Sequence, residues 1–310
     1  MDFILLFFVV MMSALVSPEF FRRFGIPYST ALIITGFVLG PSVLGGLYPD
    51  DVLQAMATMG ILFLMFSAGL ELKPEIMTQI GKKPIIISLF NGVIPFVGGY
   101  LLSRHLGLSI RTSLLLGILF ISSSAGVVIP VLRELNLIKK PVGRTIISSV
   151  VIQDMASLII LTAYLRKFVS PGDISLPLYF LLVLIFILSL LIIIPKVAKN
   201  YFDTVDRRDK FEKKIRFTII ALMLITILAE FLHLHLIISA FIVGIAFASV
   251  MDRDLEEKIN TVAYSFFIPV FFILLGMEMN PNVVLESREG LFLCIYIIAV
   301  SYTHLTLPTN

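Results

Sequence analysis

The sequence is poor in charge. Its 310 residues include 24 Lys or Arg and 21 Asp or Glu, so 15% are charged, whereas soluble domains carry about 25%. Hydrophobic residues make up 58% and the mean hydropathy is +1.01, which is more apolar surface than a water-soluble fold of this size can bury. These values exclude a soluble enzyme, a nucleic-acid-binding protein and a disordered chain, and they predict a polytopic membrane protein.

Cysteine and catalytic motifs are also scarce. Cys294 is the only cysteine, which excludes a disulfide framework and a metal site built from thiolates. The sequence has no glycine-rich phosphate loop and no catalytic triad. We therefore expect no enzymatic activity, no bound metal and no cofactor.

Eleven apolar segments lie between charged residues and Pro or Gly breaks. Most approach the ~20 residues that a helix needs to cross a bilayer, and none has the polar face of a soluble amphipathic helix. No basic residue precedes the first segment, so we expect a retained helix and not a signal peptide. The segments cover residues 2–17, 27–43, 52–72, 84–103, 107–132, 143–165, 176–195, 215–232, 235–250, 260–279 and 290–301.

The basic residues alternate between the two sides of the predicted bundle. Of the 24 Lys and Arg, 19 lie in loops that follow odd-numbered segments and 5 in loops that follow even-numbered ones. Because cytoplasmic loops are enriched in Lys and Arg, this split predicts cytoplasmic odd loops and an N-terminus outside. The stretch from Lys196 to Arg216 is then one cytoplasmic linker. We interpret it as a solvated loop, with binding of lipid headgroups as the alternative.

Two pairs of segments resemble each other. Residues 32–40 (LIITGFVLG) and 236–244 (LIISAFIVG) are identical at five of nine positions, and residues 69–72 (GLEL) parallel 276–279 (GMEM). The copies are offset by seven segments, an odd number, so they cross the membrane in opposite directions. Inverted repeats are typical of secondary transporters, whose substrate sites lie near the midplane. Chance similarity between apolar helices is the alternative.

One acidic residue lies deep inside an apolar segment. Asp154 is near the middle of the sixth segment, beside Gln153. A charge at the bilayer centre costs about 2.5–3.5 kcal/mol on insertion scales, and such residues usually mark ion pathways or proton relays. Since burial favours the protonated form, Asp154 could hold either a proton or a cation, and the Gln153 carbonyl could add an oxygen ligand. A hydrogen bond from Asp154 to a neighbouring helix is the alternative.

The fifth segment contains three consecutive serines, Ser122, Ser123 and Ser124. Pro130 follows them and leaves the carbonyl of Gly126 without its helical partner. We predict a broken helix whose hydroxyl and carbonyl oxygens face Asp154 and complete a cation and proton site. A small-residue face for helix packing is the alternative, and the two are compatible.

Four stretches form a further pattern: residues 35–45 (TGFVLGPSVLG), 60–72 (GILFLMFSAGLEL), 228–230 (LAE) with 240–244 (AFIVG), and 271–277 (FFILLGM). Together they resemble the second, third, eighth, ninth and tenth helices of the monovalent cation:proton antiporters, the sodium/hydrogen exchanger superfamily. The resemblance covers residues 1 to about 300.

The resemblance implies a secondary active transporter that exchanges a monovalent cation, K+ or Na+, for protons by alternating access. It implies an all-α polytopic membrane fold of about thirteen helices built from inverted repeats. Segments 1–3 and 8–10 would form a dimerisation side, segments 4–6 a moving core with a broken helix, and segment 7 the linker. It also implies a homodimer in the lipid bilayer of the inner (plasma) membrane.

The acidic helix favours one branch of that superfamily. The Kef-type potassium/proton antiporters carry Gln-Asp at this position, as Gln153-Asp154 does here. This resemblance favours K+ and one-for-one exchange. It assigns Asp154 as the alternating proton and cation ligand, with oxygen atoms supplied by Gln153, Ser122, Ser123 and Ser124.

The C-terminal end departs from the family pattern. If segments 4–6 repeat as 11–13, two further segments and a second broken helix should follow, and residues 301–310 (SYTHLTLPTN) look like a non-native tail. We therefore interpret residues 1–300 as an incomplete antiporter domain, with about 11 of 13 helices, and expect no transport by this chain alone. A cytoplasmic nucleotide-binding domain of the Kef type would be a further, regulatory partner outside it.

Two other functions are compatible with the sequence. One is a non-transporting membrane sensor or regulatory subunit built on a transporter fold, against which the polar cluster around Asp154 argues. The other is a cation channel. An inverted repeat and a single buried carboxylate fit alternating access better than a continuous pore.

Overall fold

Helices form nearly all of the chain that the computed structural model describes. The described residues are 3–45, 48–70, 82–121, 125–138, 140–168, 175–205, 210–232, 234 and 236–282, and these ranges contain no strand. In chain order the helices are α1 (Phe3–Arg22), α2 (Tyr28–Leu39), α3 (Asp51–Leu70), α4 (Lys83–His105), α5 (Ile110–Ile121), α6 (Ala125–Glu134), α7 (Pro141–Phe168), α8 (Leu176–Thr204), α9 (Lys210–Phe231), α10 (Leu236–Phe247), α11 (Arg253–Val262) and α12 (Ile268–Met277). A π-helix, Ala263–Phe267, joins α11 to α12.

These helices coincide with the first ten predicted segments, and the prediction of an all-α polytopic membrane fold is confirmed. In the described ranges, six helices are long and apolar enough to cross a membrane, and three shorter apolar helices accompany them. Apolar runs become helices because a membrane-spanning backbone has to satisfy its own polar groups. The eleventh segment and residues 301–310 lie outside the described residues.

Two segments differ in detail from their predictions. The tenth starts at Arg253 and not near residue 260, because Asp252 caps α11 by accepting a hydrogen bond from the Leu255 amide (2.9 Å). The fifth is described as two helices, α5 ending at Ile121 and α6 beginning at Ala125. Residues 122–124 between them lie outside the described residues, so the broken helix stays a prediction.

The helices pack in two groups that α6 connects. In the first, which we call the α4–α7 group, α4, α5 and α7 contact one another and α6 contacts α7. In the second, which we call the scaffold, α1–α3 pack against α10 and α12, with α9 and α11 beside them. α6 also packs on α2 and α3, while α8 packs on α10. The assignment of these groups to a moving core and a dimerisation side stays a prediction.

The two copies of the sequence repeat cross each other through glycines. Where α2 crosses α12, a Cβ atom at Gly36 or Gly276 would overlap the backbone of the facing helix. Where α3 crosses α10, a Cβ atom at Gly69 or Gly244 would do the same. Because α2 matches α10 in sequence and the end of α3 matches the end of α12, these two crossings are equivalent. The repeat seen in the sequence thus has a structural counterpart at the centre of the scaffold.

Two hydrogen bonds join ends of segments that the alternation places on the same side. At one end of the bundle, Glu134, in the loop after segment 5, accepts a hydrogen bond from the amide of Tyr28, which follows the loop after segment 1 (3.4 Å). At the other end, the Ser42 hydroxyl, near the end of segment 2, donates to the carbonyl of Met279, the last residue of segment 10 (2.7 Å). These contacts agree with the alternation of basic residues, while the compartment that each end faces stays a prediction.

Candidate functional site

α7 places Asp154 at the middle of a long helix. Asp154 is the fourteenth of the 28 residues in Pro141–Phe168, which puts it about 20 Å from either end at 1.5 Å per residue. Pro141 occupies the first helical position, where no amide proton is needed. Arg166 and Lys167 in the last turn suit the negative end of the helix dipole. The acidic side chain is therefore far from both charged ends of its helix.

Asp154 shares a face of α7 with residues of the main apolar cluster. Val150 and Val151, one turn earlier, belong to the main apolar cluster, and Leu158, one turn later, packs against it. The Asp154 side chain is intermediate in exposure, and its backbone carbonyl accepts a hydrogen bond from the Ser157 hydroxyl (2.8 Å). Asp154 thus lies on the face of α7 that joins the apolar cluster shared with the scaffold.

Gln153 faces α4 and α5 instead. Its side chain is 5% exposed, and its amide nitrogen donates to the carbonyl oxygens of Asn91 in α4 (3.1 Å) and Ile121 in α5. The Asn91 carbonyl lacks its usual helical partner, because Pro95 four residues later has no N–H. One side-chain amide therefore bonds two main-chain carbonyls and joins three helices.

A serine also joins α4 to α7. The Ser88 hydroxyl lies 2.6 Å from the carbonyl oxygen of Pro84 in its own helix and 2.7 Å from that of Ser149 in α7. The Ser149 hydroxyl donates to the carbonyl oxygen of Thr145 (2.8 Å) and so stays with its own helix. Together with Gln153, Ser88 fixes the register of α7 against α4.

The predicted oxygen donors Ser122, Ser123 and Ser124 lie outside the described residues. The structure does bring the residue before them, Ile121, into contact with Gln153, next to Asp154 in the chain. Sequence reasoning missed Ser88 and the two carbonyls that Gln153 satisfies. A signal was available in Pro95, since a proline inside a helix predicts an unpaired carbonyl four residues earlier.

A cavity of about 640 Å³ opens where the end of α6 meets α11. It lies between the loops after segments 5 and 9. Its lining residues mostly carry polar or charged side chains and include Arg133, Asn136, Arg253, Glu256, Asn260 and Tyr264. A second, apolar groove of about 410 Å³ runs between α4 and α7 and includes Gln153.

The ionisable group of the middle of α7 is the Asp154 carboxylate. Within the described part of the chain, no group of three or more His, Cys, Asp or Glu could hold a metal ion. Oxygen ligands suit hard cations, and a lone carboxylate balances one positive charge. A carboxylate in this place is chemically able to carry a proton or to balance one monovalent cation.

Comparison with known proteins supports the sequence resemblance. The family described as "Sodium/hydrogen exchanger, transmembrane" matches residues 9–307. "Probable Na(+)/H(+) antiporter 3" of Methanocaldococcus jannaschii is 33% identical over 301 residues, which cover 95% of this chain and 76% of that protein. "Na(+)/H(+)-K(+) antiporter GerN" of Bacillus cereus is 27% identical over 293 residues, 94% of this chain and 75% of that protein.

The fold is also similar to that of a solved structure, the sodium proton antiporter MjNhaP1 from Methanocaldococcus jannaschii. The TM-score is 0.60 at 15% sequence identity, over 90% of this chain and 70% of that one, and at this identity the likeness concerns the fold. The Kef-type branch and the C-terminal truncation stay predictions. The family match over nearly the whole chain and the relative at 33% identity show that the chain belongs to the sodium/hydrogen exchanger family of transmembrane proteins.

Proposed function

We propose that the protein is a secondary active transporter that exchanges a monovalent cation, Na+ or K+, for protons by alternating access. The observation that carries the proposal is Asp154, a carboxylate at the middle of a long apolar helix, on the face that joins the apolar cluster shared with the scaffold. Family membership supports the reaction class, since two relatives are named Na+/H+ and Na+/H+–K+ antiporters.

Competition for one carboxylate couples the two ions. Asp154 binds a proton or a cation and never both, so each crossing of the site carries one or the other. Intramembrane acids commonly serve as such relays, and a site between two helix groups can be exposed first to one side and then to the other. Exchange follows without any covalent step.

Gln153 has a positioning role in this site. Its amide nitrogen is committed to the carbonyls of Asn91 and Ile121, which leaves Oε1 as the atom able to accept or to contact a cation. By holding the end of α5, Gln153 also fixes where the chain enters residues 122–124. We propose that Ser122, Ser123 and Ser124 supply further oxygens to the ion held by Asp154.

The two groups of helices have different roles in alternating access. The scaffold, in which glycines bring helices α2, α3, α10 and α12 into backbone contact, stays fixed and forms the dimerisation side of a homodimer. The α4–α7 group moves against it and carries Asp154, with α8 as linker. The protein lies in the lipid bilayer of the plasma membrane with its N-terminus outside, as the basic loops indicate.

Reconstitution tests the assignment of Asp154. The full-length protein in liposomes that enclose a pH-sensitive dye should change internal pH when Na+ or K+ is added outside. Asp154→Asn should abolish this response, because the neutral amide can neither bind a proton nor balance a cation. Asp254→Asn, the same change at an exposed position of α11, is the control and should exchange normally. Exchange that survives in Asp154→Asn contradicts the proposal.

The pH dependence of cation affinity tests the competition. Where Asp154 is mainly protonated, the apparent affinity for the cation should rise about tenfold per pH unit, because the ligand has to lose its proton first. Measured with Na+ and K+ in parallel, the same titration identifies the preferred ion. A rate that never saturates with cation, or an affinity that ignores pH, would indicate a channel or a site away from Asp154.

A further inference from the structure

The last turn of α6 carries two charged residues that contact the scaffold. The guanidinium carbon of Arg133 lies 4.3 Å from the centroid of the Tyr264 ring. The next residue, Glu134, accepts a hydrogen bond from the amide of Tyr28 at the start of α2 (3.4 Å). We call these four residues, Arg133, Glu134, Tyr28 and Tyr264, the α6 clasp. They join the α4–α7 group to two separate helices of the scaffold.

Glu134 supplies a charge that α2 lacks. The N-cap of α2 is Pro27, which makes no side-chain hydrogen bond, and the first turn has no acidic residue. Because unpaired amides give a helix N-terminus a partial positive charge, a carboxylate from another element is attracted there. Because this attraction is electrostatic, it still acts at the N···O distance of 3.4 Å between Tyr28 and Glu134.

Tyr264 lies in the one π-helical turn of the described chain, Ala263–Phe267. Such turns within α-helices are frequent at functional sites. Arg133 and Tyr264 also line the cavity of about 640 Å³, so water can reach this half of the clasp. Partly exposed cation–π and helix-dipole contacts each shift an equilibrium only a few-fold.

The α6 clasp therefore differs from the glycine crossings of the scaffold. The crossings bring backbone against backbone and leave no group that water can replace. The clasp uses two charged side chains, Arg133 at the rim of a cavity and Glu134 at an exposed position, where water can solvate the charge when its partner leaves. It is the kind of contact that can form in one arrangement of two helix groups and part in another.

We propose that the α6 clasp is a state-dependent contact that holds the α4–α7 group in the described position and parts in every exchange cycle. This inference rests on the proposed function, because only alternating access requires the two groups to move. It assigns Arg133 and Glu134 to the control of that movement and not to the binding of the ion.

Cross-linking tests the proposal directly. In a Cys294→Ser background, Arg133→Cys and Tyr264→Cys are joined by a short bifunctional thiol reagent in the full-length protein in liposomes, and cation-driven pH change is followed. Cross-linking should stop exchange, and cleavage of a reducible linker should restore it. The matched control is Lys258→Cys with Phe211→Cys, which replaces another cation–π pair (3.6 Å) that lies wholly within the scaffold. This pair should cross-link without loss of exchange.

Each outcome bears on one proposal. Continued exchange by the cross-linked Arg133/Tyr264 pair, or failure of this pair to cross-link while the control pair does, overturns the α6 clasp. Arrest by both pairs also overturns it, since the effect would not depend on joining the two groups. Absence of exchange in the unmodified protein contradicts the proposed function and leaves the clasp to be judged by distances alone.

Distances supply that second measurement. Spin labels at Leu135→Cys and Asp254→Cys, both exposed, report the separation of α6 from α11 by pulsed electron resonance. Glu134→Gln and Arg133→Gln should each lower the population of the described distance relative to a second one by roughly two- to five-fold. Glu212→Gln, an acid paired only within α9, should leave the distribution unchanged. One unchanged distance in all variants overturns the proposal.

Discussion

The scaffold and the α4–α7 group are held together by different forces. In the scaffold, glycines such as Gly69 and Gly276 let helices approach until backbone meets backbone, and dispersion and shape carry the contact. In the α4–α7 group, side-chain hydrogen bonds from Gln153 and Ser88 join α7 to its neighbours. The first kind of contact is lost if one methyl group is added. The second is lost if one donor is removed.

This difference follows from what each group has to accommodate. The α4–α7 group contains Pro95 within α4, which leaves the Asn91 carbonyl without a helical donor, and the Gln153 side chain takes the place of that donor. Gln153 is next to Asp154 in the chain, so this polar contact also holds the helix that carries the proposed ion ligand.

Replacement of a glycine in the scaffold by a larger residue should cause the largest loss of stability. Gly276→Leu should yield no folded protein, and Gly276→Ala should destabilise by about 1–3 kcal/mol or more, because the overlapping atoms are backbone and cannot rotate away. Gly92→Ala in α4 is the control, since its Cβ would meet a methyl group of Ile121 at 3.4 Å. Thermal unfolding in detergent measures both. Equal melting temperatures for Gly276→Ala and Gly92→Ala would contradict the proposed difference between the scaffold and the α4–α7 group.

Gln153 should be the most sensitive polar residue of the α4–α7 group. Gln153→Leu removes the side-chain donor to the Asn91 and Ile121 carbonyls, at about 1–3 kcal/mol for a carbonyl left unsatisfied, and should lower both thermal stability and exchange. Gln153→Glu sharpens the test, because it keeps a side-chain oxygen but loses the NH2 group. If donation is the essential role, both variants fail. Exchange preserved in Gln153→Glu would instead favour a role as oxygen ligand alone.

The sequence predicts most of the helices and only part of the site. Long apolar runs mark helices, and the repeated Gly-x-Glu-x ends mark Gly69 and Gly276 before any contact is seen. A single acid among apolar residues marks Asp154. The partners of Gln153 were missed because they are backbone carbonyls 62 and 32 residues away in sequence. Every residue has such a carbonyl, so the type of side chain does not reveal which one accepts a hydrogen bond. The start of α11 was missed because its first turns are charged.

One polar contact in the scaffold should matter less, because one of its two partners is exposed. Lys214, 6% exposed, is 3.7 Å from Asp252, which is itself about half exposed and caps α11. Asp252→Ala should cost about 0.5–2 kcal/mol through loss of the cap. Asp252→Asn keeps a capping oxygen and should cost less. If Asn is as damaging as Ala in thermal unfolding, the ion pair with Lys214 outweighs the cap.

The smallest predicted difference in stability between the two groups of helices concerns the removal of one hydroxyl group. Ser88→Ala removes a buried donor to Ser149 of α7 and should cost about 0.5–1.5 kcal/mol. Thr58→Ala in α3 removes an exposed hydroxyl that bonds only to Gln54 of its own helix (2.9 Å), and alanine is a better helix former, so the melting temperature should stay the same or rise. Both variants lose one hydroxyl bonded to a main-chain carbonyl, but only the Ser88 hydroxyl connects two helices. An equal loss of stability in Ser88→Ala and Thr58→Ala would therefore contradict the view that hydrogen bonds between helices stabilise the α4–α7 group.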